Sequence, residues 1–246
     1  MAQFVVVALR NIRLYVLPRR IEFKYMSDGM ATKSILPFMS EDKFLESYER
    51  MIQASGFPND PGLHFRIHQA IWCASIAKDV DGDFVECGTG RGLVFSAVLN
   101  SISNWNELGK RLWLFDTFEP HHLNPASGIN DPSRGVHDRY AVNSGSTEEN
   151  FRSWSNVTLV PGLLPDSLSE LPDSTTISLL HIDLNHAPTE VNVLRALWPR
   201  ISRGGVVLLD DFGSNIEQNE AMVDTAKSIG VEILSTASSQ GIIIKT

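Results

Sequence analysis

The densest run of chemistry-bearing residues is Glu86-Cys87-Gly88-Thr89-Gly90-Arg91-Gly92, which closes a β-rich run begun at Phe84 and leads into the helical LVFSAVLN. Strand, glycine turn and helix in succession let a ligand approach the backbone at the carboxyl edge of a sheet. A dinucleotide fingerprint reads G-x-G-x-x-G, whereas here the third glycine arrives one place early. The acid matters more. A carboxylate at Glu86, two residues before Gly88, repels a pyrophosphate and attracts a cationic amino group. S-adenosylmethionine, with an α-amino group and a sulfonium, suits the loop better than NAD; the plainer alternative is a tight turn that only packs helix on strand. Asp116 closes the next strand, LWLFD, where a carboxylate can hold two ribose hydroxyls. Glu86, Gly88, Thr89, Gly90, Arg91, Asp116 and Thr117 form the expected cofactor set, and the chain has no glycine-lysine phosphate loop.

A second constellation is acidic. One later strand ends in His181-Ile182-Asp183 and the next in Asp210-Asp211-Phe212. Neighbouring strands lie about 4.8 Å apart, so these carboxylates converge beside the cofactor crevice. Left unpaired they repel one another, and a hard divalent cation with oxygen ligands, most simply Mg²⁺ on Asp183, Asp210 and Asp211, relieves that repulsion. The alternative is that Asp210 and Asp211 cap the next segment and Asp183 is solvated. A cation also has work to do, because ionising an aliphatic hydroxyl at pH 7 means bridging roughly nine pKa units, about 12 kcal/mol. Methyl transfer from a sulfonium further requires the oxygen to be positioned and its proton removed. Asp183 or His186 is the expected proton acceptor. His64 and His68 lie one helical turn apart, but HFRIH lacks the zincin glutamate, so they are read as head-to-body or substrate contacts.

These residues need a scaffold, and the chain supplies an α/β rhythm. β-rich runs at 84–87, 111–117, 157–161, 177–184, 206–210, 231–235 and 241–245 alternate with helical stretches at 92–103, 146–154, 165–171, 187–202 and 216–229. LWLF, SLLHI and VVLL are apolar without alternation, as parallel strands covered on both faces require. The last two strands are separated by too few residues for a helical crossover and form an antiparallel hairpin. The expectation is a Rossmann-like, doubly wound, seven-stranded, mostly parallel sheet with an antiparallel last strand, over residues 81–246. Residues 118–145, rich in His, Pro, Gly and Asn and including His121, His122 and His137, read as a lid loop. Residues 1–80 read as a mostly helical cap that covers the acceptor and mediates self-association.

Composition narrows the partners. The chain has 246 residues, 43% hydrophobic and 20% charged, with a net charge of -8, which excludes a disordered tail and disfavours general affinity for nucleic acid. Residues 1–33 run against that balance, with six basic side chains against two acidic ones. The apolar run from Phe4 to Leu9 is shorter than a secretory or membrane-spanning segment, so a cytoplasmic protein without an integral membrane segment is expected. Cys73 and Cys87 both sit in apolar stretches without metal-ligand spacing, which suits a reducing compartment.

Taken together, GDFVECGTGRG, LWLFDTF, LLHID and WPRISRGGVVLLDDFG resemble the motifs of class I S-adenosylmethionine-dependent methyltransferases. Within that class, and with YMSDGMATKSILPFMSEDKFLESYERM before the core, residues 25–246 are similar to the macrocin O-methyltransferase family of sugar O-methyltransferases. The resemblance implies S-adenosylmethionine at Glu86, Gly88, Gly90 and Asp116, a Mg²⁺ site at Asp183, Asp210 and Asp211, a small hydroxyl acceptor such as a sugar, and a homodimer or higher oligomer. One departure stands out: where the family continues after HID with a second aspartate and an aromatic, this chain has Leu184-Asn185-His186-Ala187. A nicotinamide-dependent oxidoreductase and a non-catalytic protein that kept the fold are the competing readings.

Overall fold

The computed structural model describes residues 22–118 and 143–246. Most of the basic head, the apolar run at 4–9, and most of the expected lid with His121, His122 and His137 lie outside the described residues.

The described part of the head begins with a hairpin, β1 (Tyr25–Ser27) and β2 (Met30–Thr32). Its two turn residues, Asp28 and Gly29, have φ of 50° and 70°, the double left-handed conformation of a tight hairpin turn that Asp-Gly favours. Two helices follow. Helix α1 (Asp42–Ser55) stops at Gly56, whose φ of 66° suits a residue without a Cβ. Helix α2 (His64–Ala77) lies on the sheet, while α1 rests on the helix after the glycine loop.

The sheet contains β3 (Asp83–Cys87), β4 (Leu112–Asp116), β5 (Val157–Pro161), β6 (Ile177–Ile182), β7 (Ile201–Leu209), β8 (Leu234–Ser235) and β9 (Gly241–Ile244) in the order β5-β4-β3-β6-β7-β9-β8. All pairs from β5 to β7 are parallel, and β9 runs antiparallel to both β7 and β8. The doubly wound expectation holds, and the antiparallel strand lies one place inside the edge. The connecting helices are α3 (Leu93–Ser101), α4 (Ser144–Phe151), α5 (Ala187–Leu197) and α6 (Ile216–Ile229). Two expected helices differ. Residues Asp166–Glu170 form a short 3₁₀ turn, and α5 ends at Leu197, where Pro199 has no N–H to continue the helical ladder and Trp198–Arg200 tightens into a 3₁₀ turn.

Strand periodicity sorts the core into two layers. Val85, Phe115, Leu180 and Val207 point to the face covered by Val193, Leu194 and Leu197 of α5 and Met222 of α6. Phe84, Leu114, Leu179 and Leu208 point to the other face, covered by Cys73 and Ala77 of α2 and Phe95 and Leu99 of α3. A period of two then fixes where the chemistry goes. Glu86, Asp116, His181 and Asp210 follow Phe84, Leu114, Leu179 and Leu208 by two residues each, so all emerge on the α2–α3 face at the carboxyl ends of adjacent strands.

Helix α4 braces the glycine loop from outside. Asn143 caps it, its Oδ1 accepting from the Ser146 N–H at 3.1 Å, and Phe151 at its end is buried against Gly92, where an added Cβ would drive into the ring. Phe151→Ala removes that support and should cost about 3–5 kcal/mol of unfolding free energy in urea denaturation. A loss below about 1 kcal/mol, within the range of an ordinary surface change, would show that α4 is not a brace.

Candidate active site

The glycine loop adopts backbone angles that side chains resist. Gly88, Gly90 and Gly92 have φ of 94°, 51° and 79°, all left-handed. At Gly88 the reason is also steric, since an added Cβ would collide with the Asp183 carbonyl. The end of β3 is tied to both neighbouring strands: the Gly88 N–H donates to the Phe115 carbonyl of β4 at 2.8 Å, and the Asp183 N–H, just after β6, donates to the Cys87 carbonyl at 2.8 Å. Gly90 differs, because among the described residues an added Cβ there meets nothing within 4 Å and its outer side is open. Its N–H donates to Asp116 Oδ2 at 2.8 Å, while Asp116 Oδ1 accepts from the Phe118 N–H at 2.9 Å. Asp116 is thereby oriented by backbone, with lone pairs left for ribose hydroxyls. Thr89 is buried, and Thr117 lies beside Asp116, its Oγ1 3.5 Å from Asp116 Oδ1. The Arg91 side chain turns away from the loop, its Nε donating to the Ala54 carbonyl at 3.3 Å, so it ties the loop to α1.

Behind the loop lies a line of alternating charge. Glu86 and His181 are paired across β3 and β6 and each is 1% exposed. His181 Nδ1 is 3.1 Å from Glu86 Oε1, and its Nε2 is 3.8 Å from Asp210 Oδ1. Burial opposes a charge on His181, but Asp210 and Glu86 on its two sides outweigh burial and push its pKa up to about 10, so it is an imidazolium at neutral pH. Glu86 is raised by burial, against the pull of His181. Its second oxygen, Oε2, is buried with no hydrogen-bond partner among the described residues. A desolvated carboxylate oxygen without a donor is costly, and a ligand's cationic amino group is the kind of donor that relieves it.

The line continues past Asp210. Its Oδ1 accepts from Gln240 Nε2 at 2.7 Å and its Oδ2 from Arg66 Nη1 at 2.6 Å. Although burial works the other way, the neighbouring His181 and Arg66 cations hold the Asp210 carboxyl below the ordinary range. Arg66 Nη1 also reaches Asp211 Oδ1 at 3.2 Å, and its Nε donates to Asp28 Oδ2 in the hairpin turn at 2.9 Å. Asp183, Asp210 and Asp211 offer oxygens that all lie within 4.8 Å of one another. Desolvation and the charges of Asp210 and Asp211 raise Asp183 well above the usual carboxylate range, as burial and Asp210 raise Asp211. The three expected ligands are therefore brought together, but two of them already hold a guanidinium from α2.

The remaining expectations are placed as follows. His186 stands exposed at the N-cap of α5, with Nδ1 2.7 Å from Thr189 Oγ1. His64 and His68 belong to the aromatic packing of the head, stacked on Tyr48 and Phe38 with ring centroids 4.0 Å apart in each case. Four contributors escaped the sequence reading: Arg66, His181, Gln240, and buried Glu190, whose Oε1 accepts from Gln218 Nε2 at 2.9 Å and from the Leu184 N–H at 3.3 Å. For His181 a signal existed, since it precedes Asp183 by one strand period.

The sequence profile described as macrocin-O-methyltransferase (TylF) matches residues 65–233, more than half of the chain and every residue of the loop and the acidic cluster. The chain belongs to the macrocin O-methyltransferase family. Among curated family relatives it is 28% identical over 145 residues to a demethyldecarbamoylnovobiocin O-methyltransferase of Streptomyces niveus, covering 56% of this chain and 55% of that protein. It is likewise 28% identical over 148 residues to a Streptomyces olivaceus 4′-O-methyltransferase whose name specifies a dimethoxyrhamnosyl-tetracenomycin, with 56% and 55% covered. The chain thus spans about half the length of the curated relatives it matches. Solved O-methyltransferases share the fold. NovP aligns with a TM-score of 0.59 at 23% identity, covering 74% of this chain and 79% of NovP, and the calicheamicin methyltransferase CalS11 with a TM-score of 0.54 at 18% identity, covering 83% and 93%.

The family site has a pH signature. His181 has a folded-state pKa near 10 against an ordinary value of 6.5, so its contribution to stability is fully present below about 6.5 and is lost as pH rises through 10. The stability advantage of wild type over His181→Gln, measured by urea unfolding, should shrink between pH 7 and 10 by up to about 1.4 kcal/mol per unit. A difference that stays constant across that range would refute a buried imidazolium.

Proposed function

We propose that this chain is an S-adenosylmethionine-dependent, cation-assisted O-methyltransferase acting on a hydroxyl of a small polar metabolite, of the sugar or glycosylated natural-product type. The observation that carries the cofactor reading is Glu86 Oε2, buried without a partner among the described residues at the end of β3, in the same loop region as the open side of Gly90 and the oriented Asp116. Those three groups fit an amino group, a backbone approach and a ribose in one crevice. A nicotinamide dinucleotide fits them poorly, since its pyrophosphate would face a buried carboxylate. The acceptor class is supported by family membership and by the novobiocin and rhamnosyl-tetracenomycin names of the two Streptomyces relatives.

The residues also fit a divalent cation. Asp183, Asp210 and Asp211 are hard oxygen donors within 4.8 Å of one another, and their mutual repulsion favours added positive charge. When bound, such an ion supplies Lewis acidity toward a substrate hydroxyl. The protein's own part is orientation and proton removal. On this reading His186 is the proton acceptor: with Nδ1 donating to Thr189 Oγ1, the ring is oriented and the lone pair is left on Nε2. The cap, residues 1–80, covers the acceptor and carries the self-association surface, and residues 81–246 bind the cofactor.

Calorimetry with S-adenosylhomocysteine checks the cofactor assignment directly. Wild type should bind in the micromolar range, and Glu86→Gln, which removes a charge-assisted hydrogen bond of about 1.5–3 kcal/mol, should weaken binding roughly ten- to hundredfold. Absence of binding to wild type would sink the reading. For the chemistry, Asp183→Asn should abolish transfer with cofactor affinity nearly intact, and EDTA should silence wild type; full turnover in EDTA rules out a required cation. His186→Ala should lose about 10²–10⁴ in kcat, and retention of full turnover at neutral pH clears His186 of the role.

A further inference from the structure

Arg66 has no part in the chemistry above, yet it makes four polar contacts at the centre of the site. Its Nη1 lies 2.6 Å from Asp210 Oδ2, 3.2 Å from the Asp210 carbonyl and 3.2 Å from Asp211 Oδ1, while Nε lies 2.9 Å from Asp28 Oδ2. The side chain is 14% exposed, and burial alone would lower the affinity of this group for its proton; the carboxylates of Asp210, Asp211 and Asp28 more than reverse that.

We infer that Arg66 is a positioning residue that competes with the divalent cation for Asp210 and Asp211. It assembles and charge-compensates the two carboxylates beforehand, and it yields them when the ion enters. The inference rests on the proposed cation site. Its warrant is the accounting of oxygens. Asp210 Oδ1 accepts from Gln240 Nε2 at 2.7 Å and lies 3.8 Å from His181 Nε2, while Oδ2 is the atom that Arg66 holds, so both oxygens of Asp210 are already engaged. A dication and a guanidinium drawing on the same two carboxylates repel one another at short range, in surroundings of low effective dielectric. Arg66 also has somewhere to go. Its Nε is anchored on Asp28, in a turn whose φ values of 50° and 70° fix that carboxylate's backbone, so the guanidinium can give up Asp210 and Asp211 while keeping a counter-charge. Asp183, the third ligand, takes no part in the Arg66 contacts and is held by Asn185 Nδ2 at 3.3 Å. A purely structural ion pair between head and sheet makes the opposite prediction, because its removal would loosen the cluster and weaken cation binding.

Mn²⁺ is the probe, with free ion counted by electron paramagnetic resonance against wild type, Arg66→Met and Arg66→Lys. Arg66→Met should bind Mn²⁺ about tenfold tighter than wild type, equivalent to about 1.4 kcal/mol, and Arg66→Lys, which keeps the charge, should stay within about threefold. A gain of less than threefold in Arg66→Met, or a weakening, overturns the inference while the wild-type binding itself upholds the cation site. No Mn²⁺ bound by any of the three at millimolar concentration overturns the cation site and this inference with it. Should Arg66→Met not fold, a crystal structure of the wild-type protein with Mn²⁺ decides. Arg66 Nη1 is expected beyond hydrogen-bond distance of Asp210 Oδ2 and still on Asp28; an ion seated on the three aspartates with that contact intact overturns the inference.

Discussion

Acids gathered at the buried ends of adjacent strands must be compensated, and that electrostatic constraint organises the rest of the molecule. An isolated carboxylate inside a protein is expensive, and a cluster of them is more so. The solution is alternation: Glu86, His181, Asp210, Arg66 and Asp28 run minus, plus, minus, plus, minus from the glycine loop to the head hairpin. Each cation sits between two anions, and the chain of contacts runs across the ends of three neighbouring strands, β3, β6 and β7, to α2 and the hairpin of the head. The helical head is therefore joined to the site by charge as well as by packing. Asp211 and Asp183 stand beside this line, and burial together with the charge of Asp210 makes both resist ionisation.

The same constraint explains the division of labour in the glycine loop. One side is closed: Gly88 lets the Asp183 carbonyl approach, Gly92 lets the Phe151 ring approach, and Thr147 Oγ1 donates to the Gly90 carbonyl at 2.8 Å. The other side, above Gly90, is open. With the N–H groups of Gly88, Thr89, Gly90 and Gly92 all donated within the protein, the loop is held in place and presents its backbone edge at Gly90 and the Asp116 carboxylate already ordered, which is preorganisation in its simplest form. Among the described residues, Glu86 Oε2 is one of three buried polar atoms of this shell without a hydrogen-bond partner, with His181 Nε2 and Gln240 Oε1.

Much of this was legible in sequence because it follows from short-range rules. Unbroken apolar runs identify covered parallel strands, and the same parity that buries Phe84, Leu114, Leu179 and Leu208 puts Glu86, Asp116, His181 and Asp210 on one face. His181 could have been assigned from that parity. The hairpin was legible in principle from Asp28-Gly29, but arms of three residues carry too little alternation to compete with the surrounding helical pattern. The 3₁₀ turn at Asp166–Glu170 was misjudged as α because five residues do not distinguish the two hydrogen-bond patterns. Arg66 was not legible. Its partners lie 144 and 145 residues away, and on a helix with apolar neighbours it reads as one more exposed charge until α2 is laid across the ends of β6 and β7.

The turn after β6 shows how a local substitution can redistribute chemistry without disturbing the scaffold. At Asn185 the chain has φ of 52°, a left-handed conformation that Asn tolerates better than most residues, and its amide donates to Asp183 Oδ1 at 3.3 Å. A second aspartate in that turn would add another negative charge beside Asp183, whose ionisation is already suppressed by Asp210 and Asp211. An amide adds a donor instead, so it steadies Asp183 in its ionised form. The cost is a lost carboxylate that could accept a proton, and the next residue, His186, restores a basic atom within the same turn. The Thr189 hydroxyl, 2.7 Å from Nδ1, sets the direction of the ring. On the proposed chemistry, the departure at Leu184-Asn185-His186 moves the proton acceptor from a carboxylate that would crowd the cation site to an imidazole outside it. Cation affinity and basicity are then set by different residues and can vary independently.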